Sequence, residues 1–232
     1  TYIKLIVDHM QKRGIDVKNI YINPYDESID EVAQTLGRWI LEINPEYQTI
    51  LDSFDTNMEN AEKMDVYTTV WMPHYRTLTE DAAQPFHEFI RAKKDKPRWL
   101  YYYTTGPNEK ASSPYVNYTL KFWNCHYLGY SGLCYWAAGQ YYGDPWFRKN
   151  FASYDTALMY PHENGVLPSR RLFAWRRGMQ DQAILKLTEQ KLADRPEELK
   201  AFREELGKVV NSPNDPALAA AFREKCKKIL AE

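Results

Sequence analysis

The chain has little of what marks several common classes of protein. It contains three cysteines and no CxxC pair, so neither a disulfide framework nor a zinc site is indicated. Its five histidines show no HExxH or other ligand spacing, so we expect no metal and no other cofactor. The formal net charge is −1, so the chain lacks the excess of positive charge that is typical of proteins that bind nucleic acid or an anionic membrane. No apolar run is long enough to span a bilayer.

Glycine-rich phosphate loops and a leader are also missing. Neither GxGxxG nor a P-loop follows any strand-like run, which argues against a nucleotide-binding doubly wound sheet. No signal peptide is visible, and Thr1 stands in the middle of a helix pattern. We therefore expect the sequence to begin inside a longer protein. A secreted or extracytoplasmic location is compatible with these residues.

Aromatic residues are plentiful, with 18 Tyr and 7 Trp among 232 residues. Two interpretations are open. The first is a Tyr-rich core within a chain that is 44% hydrophobic. The second is a carbohydrate site, because Tyr and Trp each offer a sugar ring an apolar face and a polar edge.

Apolar strand-like runs alternate with amphipathic helix patterns over most of the chain. The predicted strands are residues 17–23, 47–54, 65–73, 98–106 and 132–142. The predicted helices are residues 1–14, 57–64, 79–94 and 113–130, with a further helix capped by Ser28 and ended by Pro45. Residues 143–169 read as a long loop, followed by a helix over 170–192 and two charged helices. This order predicts an α/β fold with a parallel sheet and right-handed crossovers.

The residues that follow the strands favour a (β/α)8 TIM-barrel-like fold. They are polar and aromatic, as at the carboxyl-terminal face of such a barrel: "PYDES", "SFDTN", "MPHYR", "TTGPN" and "AGQYY". Five strands would be the C-terminal five of eight, so we expect the missing N-terminal strands upstream or from another chain. The expected domains are a C-terminal barrel portion, residues 1–192, and a helical extension, residues 193–232.

Two adjacent carboxylates, Asp26 and Glu27, stand where the first strand meets a helix. Such crowding raises the pKa of one of the two acids. Acids beside a helix N-terminus can simply complement its dipole, which is how we interpret Asp30 and Glu31. Asp26 and Glu27 precede the predicted Ser28 cap, and we expect both at the mouth of a site.

Two stretches carry a resemblance to a known family. "NPYDES" and "GVLPSRRLFAWRRGMQDQAILKL" resemble the catalytic region of glycoside hydrolase family 123 and the wider group of proteins sharing its C-terminal domain, DUF4091. The second stretch matches a Pro-Ser-x-Arg-x-x-x-x-Arg-x-Gly-x-x-Asp helix start, and the resemblance covers roughly residues 1–192. Gln182 and Ser28 depart from the usual residues, where relatives carry an aromatic or acidic residue and a proline.

The resemblance implies a retaining β-N-acetylgalactosaminidase that uses substrate-assisted catalysis. The acetamido oxygen of the substrate would attack the anomeric carbon and form an oxazolinium, so no enzyme nucleophile is needed, an exception to the two-carboxylate scheme. Glu27 would act as general acid and then base. Asp26 would stay ionised, orient the acetamide and stabilise the oxazolinium charge.

Further residues are expected to bind the glycan or to pack at the rim. The candidate substrate-binding residues are Tyr25, Asp55, Trp71, His74, Tyr75, Trp136 and Gln140. The Tyr75 hydroxyl would form a hydrogen bond with the acetamide carbonyl. Trp136 and Gln140 would form the floor of the sugar subsite. Arg171, Arg176 and Asp181 are expected to form a buried structural network instead.

Other functions remain compatible with the sequence. One is a glycosidase of the same superfamily with another sugar, because the acid pair does not fix the substrate. Another is a carbohydrate-binding or scaffold domain without turnover, in which the acids only cap a helix. A metal-dependent hydrolase is a distant third.

Overall fold

The computed structural model describes residues 2–102, 113–136, 138–139 and 157–232. It divides the chain into two compact units, Thr1–Tyr102 and Tyr103–Glu232. Both contain helices and short strands, so the predicted α/β class is confirmed. The described residues form small sheets and no closed barrel. The TIM-barrel arrangement and the domain boundary after residue 192 stay predictions.

The first unit alternates strands with helices, as the hydrophobic pattern predicts. Its strands are β1 Tyr21–Ile22, β2 Gln48–Ser53, β3 Val70–Pro73 and β4 Trp99–Tyr102. Its α-helices are α1 Tyr2–Lys12, α2 Glu31–Ile43, α3 Met58–Asp65 and α4 Gln84–Ala92. Short 3-10 helices cover Val17–Asn19, Tyr75–Thr79 and Asp81–Ala83.

The strands of the first unit are parallel. β2 lies between β1 and β3, and β4 joins β3 through parallel bridges, one of them His74↔Tyr101. The rings of Tyr21 in β1 and Trp99 in β4 lie 5.6 Å apart. Because the outer strands of a flat four-stranded sheet lie about 14 Å apart, this contact indicates that the sheet curves.

The helix after β1 starts later than its sequence signal suggested. The predicted Ser28 cap is wrong, because α2 begins at Glu31 and its N-cap is Asp30. The Asp30 carboxylate accepts hydrogen bonds from the backbone N–H groups of Val32 (2.9 Å) and Ala33 (3.1 Å). The Ser28 hydroxyl accepts from the Asp30 backbone N–H instead, at 3.2 Å. The chain from Asn23 to Ile29 is therefore a loop.

The described part of the second unit is mainly helical. A π-helix, Tyr115–Thr119, leads into α5 Leu120–Tyr127, and α6 Arg170–Lys191, α7 Pro196–Val210 and α8 Pro216–Ala231 follow. Its strands are β5 Gly132–Tyr135, β6 Met159–His162 and β7 Gly165–Pro168. Helices α5 to α8 share one apolar core, which includes Trp123, Leu185, Phe202 and Phe222.

A hairpin lies where the sequence predicted only loop. β6 and β7 pair antiparallel, with Met159 opposite Pro168 and His162 opposite Gly165. Gly165 has a φ of 135°, a backbone conformation that residues with a Cβ rarely adopt. The Asn164-Gly165 dipeptide is a hairpin signal, so this part of the long-loop prediction is wrong.

Asp181 anchors α6 in the second unit, but its partners differ from those expected. Asp181 is 3% exposed, and its carboxylate accepts hydrogen bonds from Arg177, Arg223 and the Trp123 indole. Arg171 donates to the Tyr160 hydroxyl instead. Arg176 is exposed. The burial of Asp181 among arginines is as expected, but the prediction that Arg171 and Arg176 bind it is wrong, because Arg177 and Arg223 do so.

Candidate active site

The carboxyl ends of the parallel strands bring polar and aromatic side chains to one edge of the first unit. Ligands bind at this edge in barrels and in open α/β sheets. The residues that end or follow β1 to β4 here are Asn23–Glu27, Asp52–Asp55, His74, Tyr75, Tyr101 and Tyr102.

Asp26 and Glu27 are both exposed in the loop between β1 and α2. Glu27 has a φ of 59° and is the only described non-glycine residue with a positive φ. A residue with a Cβ in this left-handed conformation costs about 1–2 kcal/mol and persists only where its surroundings hold it. The backbone N–H of Phe54 donates to the Glu27 carbonyl at 3.3 Å. The end of β2 thus holds the acid loop in place.

A third carboxylate, which our sequence analysis missed, lies beneath the pair. Asp52 in β2 is 4% exposed, and its Oδ1 accepts a hydrogen bond from the Asn23 side-chain amide at 2.7 Å. The backbone N of Glu27 lies 3.5 Å from the same oxygen. The signal in the sequence was a lone acid within the otherwise buried run "TILDSF".

Burial and mutual repulsion favour protonation in this group of acids. Burial raises the pKa of Glu27, and the negative charges of Asp26 and Asp52 raise it further. Burial also raises the pKa of Asp52, while its hydrogen bond from Asn23 acts in the opposite direction. Glu27 therefore keeps a proton at higher pH than an ordinary glutamate does, as a general acid requires.

His74 is wholly buried, and with Phe54 and Tyr101 it forms an aromatic wall at this edge. Its ring stacks on Phe54 at 3.9 Å and meets Tyr101 edge-on at 5.3 Å. Its Nδ1 accepts from the Arg76 backbone N–H at 3.1 Å. Burial, and then the Arg76 charge, lower the pKa of His74 to about 3. The ring is therefore neutral near pH 7.

Trp71 does not stand at the mouth, and that expectation is corrected. It lies within β3 and is wholly buried, with its indole N–H donating to Asp65 at 2.9 Å and its ring edge-on to Phe86 at 5.9 Å. Successive side chains along a strand point to opposite faces of the sheet. Trp71 lies on the face of β3 that packs against α3 and α4, because it contacts Asp65 in α3 and Phe86 in α4.

The other predicted site residues occupy different positions. Tyr25, 39% exposed, stands beside the acid pair. Tyr75 is half-buried after β3, with its ring 5.5 Å from that of Tyr102. The Asp55 carboxylate accepts from the Asn57 backbone N–H at 2.9 Å, in the turn before α3. Trp136, 51% exposed, follows β5 in the second unit. Gln140 lies outside the described residues.

The described residues show neither a metal site nor a membrane-spanning helix. No cluster of three or more His, Cys, Asp or Glu side chains there is arranged to hold a metal ion. None of the helices described combines the length and the apolar character that crossing a membrane requires.

Paired carboxyls and aromatic rings at the carboxyl edge of an α/β unit suit a glycoside hydrolase, whose chemistry uses carboxyl groups beside the sugar. The model of the glycoside hydrolase 123 catalytic domain matches residues 1–188. The chain therefore belongs to this family, which confirms the resemblance seen in the two motifs and the glycosidase class. No curated protein matches the chain.

Proposed function

We propose that this glycoside hydrolase releases terminal β-linked N-acetylgalactosamine, or a related N-acetylhexosamine, with retention of configuration and through an oxazolinium intermediate. The observation that carries the proposal is the Asp26–Glu27 step at the carboxyl edge, where a strained backbone presents two acids and the pKa of Glu27 is raised. No second protein carboxylate on the far side of the sugar is needed if the substrate supplies its own nucleophile.

Glu27 handles the proton in both halves of the reaction. As the acetamido oxygen bonds to the anomeric carbon, the bond to the leaving oxygen breaks and that oxygen takes the Glu27 proton. Water then attacks the same carbon, Glu27 takes a proton from it, and the acetamide re-forms. Asp26 accepts a hydrogen bond from the acetamide N–H, and its charge stabilises the oxazolinium.

The remaining site residues are proposed to bind the sugar. Tyr25 stands next to the acid pair, and the Tyr75 hydroxyl is proposed to bond the acetamide carbonyl. Asp55 would bond a sugar hydroxyl. His74 supports this wall through its stacking on Phe54 and is not proposed to touch the glycan.

A curved sheet of four parallel strands also supports the barrel as a proposal. Tyr21 and Trp99 reach each other across two intervening strands. We propose that the unit is part of a (β/α)8 barrel and that further strands come from upstream or from another chain. The glycan is the proposed partner, and no nucleic-acid or membrane partner is proposed.

The test is hydrolysis of three phenyl glycosides by the full-length protein: the N-acetyl-β-galactosaminide, the N-acetyl-β-glucosaminide and the plain β-galactoside. Phenol is a poor leaving group, so its departure depends on the general acid. We expect turnover of acetamido sugars only, loss of at least about 10²-fold in Glu27→Gln, and a strong reduction in Asp26→Asn.

Glu46→Gln is the matched control, because this exposed acid precedes β2 at the opposite edge of the same sheet. Unchanged turnover in both acid-pair variants would remove the proposal. Binding of the acetamido sugars without hydrolysis would favour a carbohydrate-binding module.

A further inference from the structure

Asp52 is a buried carboxylate next to the acid loop that the proposed reaction does not use. A single oxygen of this side chain bonds the Asn23 amide and lies near the Glu27 backbone N, at 2.7 and 3.5 Å. It therefore links the end of β1, the end of β2 and the acid pair.

The surroundings of Asp52 differ from those of a structural carboxylate in the same unit. Asp65 is partly buried too, but Lys93 and Lys96 bind it at 2.8 and 2.9 Å. Among the described residues no lysine, arginine or histidine forms an ion pair with Asp52, and the nearby charge that acts on it is that of Asp26, which has the same sign. Burying a carboxylate without a counter-ion costs several kcal/mol.

The hydrogen bonds do not require that charge. The carbonyl oxygen of an asparagine at position 52 would accept from Asn23 and from the Glu27 backbone N in the same way. Since the amide would be cheaper to bury, a purely structural role leaves the carboxylate unexplained.

We propose that Asp52 is a positioning residue for the reaction: it holds the Glu27 peptide in its left-handed conformation, and its negative charge retains the proton on the Glu27 side chain. The proposal rests on the proposed function, in which Glu27 is the general acid. Phe54 supplies the second hold on the same peptide, through its backbone N–H and the Glu27 carbonyl.

Two carboxylates among the described residues act on the Glu27 proton. Besides burial, the causes of its raised pKa are Asp26 from its own loop and Asp52 from β2. His74, which follows β3 at this edge, has a pKa of about 3 and is neutral. Removing the charge at position 52 should therefore lower the pKa of Glu27. The Glu27 carboxyl would then lose its proton at a lower pH than in wild type.

The test is the pH profile of kcat/KM with the phenyl N-acetyl-β-galactosaminide, measured on the full-length protein for wild type, Asp52→Asn, Asn23→Ala and Glu46→Gln. We expect the alkaline limb of the Asp52→Asn profile to lie at lower pH than that of wild type. At a fixed alkaline pH, kcat/KM should fall by up to about tenfold, with a larger effect on kcat than on KM. Asn23→Ala removes the bond that favours the Asp52 anion, so its limb should move the same way by less. Glu46→Gln should match wild type.

The outcomes separate this proposal from the function on which it rests. If Glu27→Gln is inactive and the limb of Asp52→Asn coincides with that of wild type, the positioning role is overturned while the proposed function stands. If Glu27→Gln and Asp26→Asn both keep full activity, both proposals fall. Should Asp52→Asn lose its folded circular dichroism spectrum, Asn23→Ala decides, because Asn23 is exposed, and an unmoved limb in that variant rejects the role.

Discussion

At the scale of single residues, the site combines a strained backbone with carboxyls that repel one another. Glu27 adopts a φ of 59° beside Asp26 and above Asp52. Both features oppose folding: the first costs backbone strain, and the second raises the pKa of Glu27. Local strain of this kind is common at active sites, where function limits stability.

Glycine at position 27 should therefore separate stability from activity. Glu27→Gly removes the proton donor and the Cβ that opposes a positive φ, whereas Glu27→Ala removes only the donor. We expect both variants to lose turnover and Glu27→Gly to be more stable than Glu27→Ala by about 1 kcal/mol. Thermal unfolding followed by circular dichroism measures the difference. A lower melting temperature for Glu27→Gly than for Glu27→Ala would contradict the strained geometry.

At the scale of elements, α6 lies against the π-helix and α5 at Gly178. A Cβ built on Gly178 would lie 2.4 Å from the Phe122 ring and 3.0 Å from the Thr119 carbonyl oxygen. Glycine is therefore required here by close approach of the helices, although it weakens a helix interior by about 1 kcal/mol relative to alanine.

Alanine at position 178 should destabilise the second unit despite its better helix propensity. We expect Gly178→Ala to lower the free energy of unfolding by about 1–3 kcal/mol, because the Phe122 ring must move in a packed core. Met179→Ala is the control, since Met179 is 53% exposed on the same helix, and its effect should stay within about 0.5 kcal/mol. Denaturant unfolding measures both, and a Gly178→Ala protein as stable as wild type would show that the helices are further apart.

At the scale of the whole molecule, the alternation of apolar runs was enough to predict the α/β class and the parallel order of the first strands. The acid pair was also visible, because two carboxyls between a strand and a helix are conspicuous in a sequence. The family match over residues 1–188 confirms the family that the two sequence motifs indicated.

The misses have physical causes. Trp71 was expected at the mouth, although it lies two residues before the end of β3. Its burial depends on which face of the strand packs against α3 and α4, and the apolar run Val70–Pro73 does not reveal that face. Ser28 and Asp30 are equally good caps, and only the path of the acid loop selects Asp30. Asp52 was missed because its role depends on contacts with Asn23 and Glu27, which lie 29 and 25 residues away in the chain.

The most direct test of the central claim varies the nucleophile that the substrate is proposed to supply. Phenyl β-galactosaminides carrying acetyl, fluoroacetyl, difluoroacetyl and trifluoroacetyl groups on nitrogen differ mainly in the electron density of the acyl oxygen. If that oxygen attacks the anomeric carbon while Glu27 protonates the leaving group, kcat/KM of the full-length protein should fall steadily with each added fluorine. Equal kcat/KM values across the series would contradict substrate-assisted catalysis at Asp26 and Glu27.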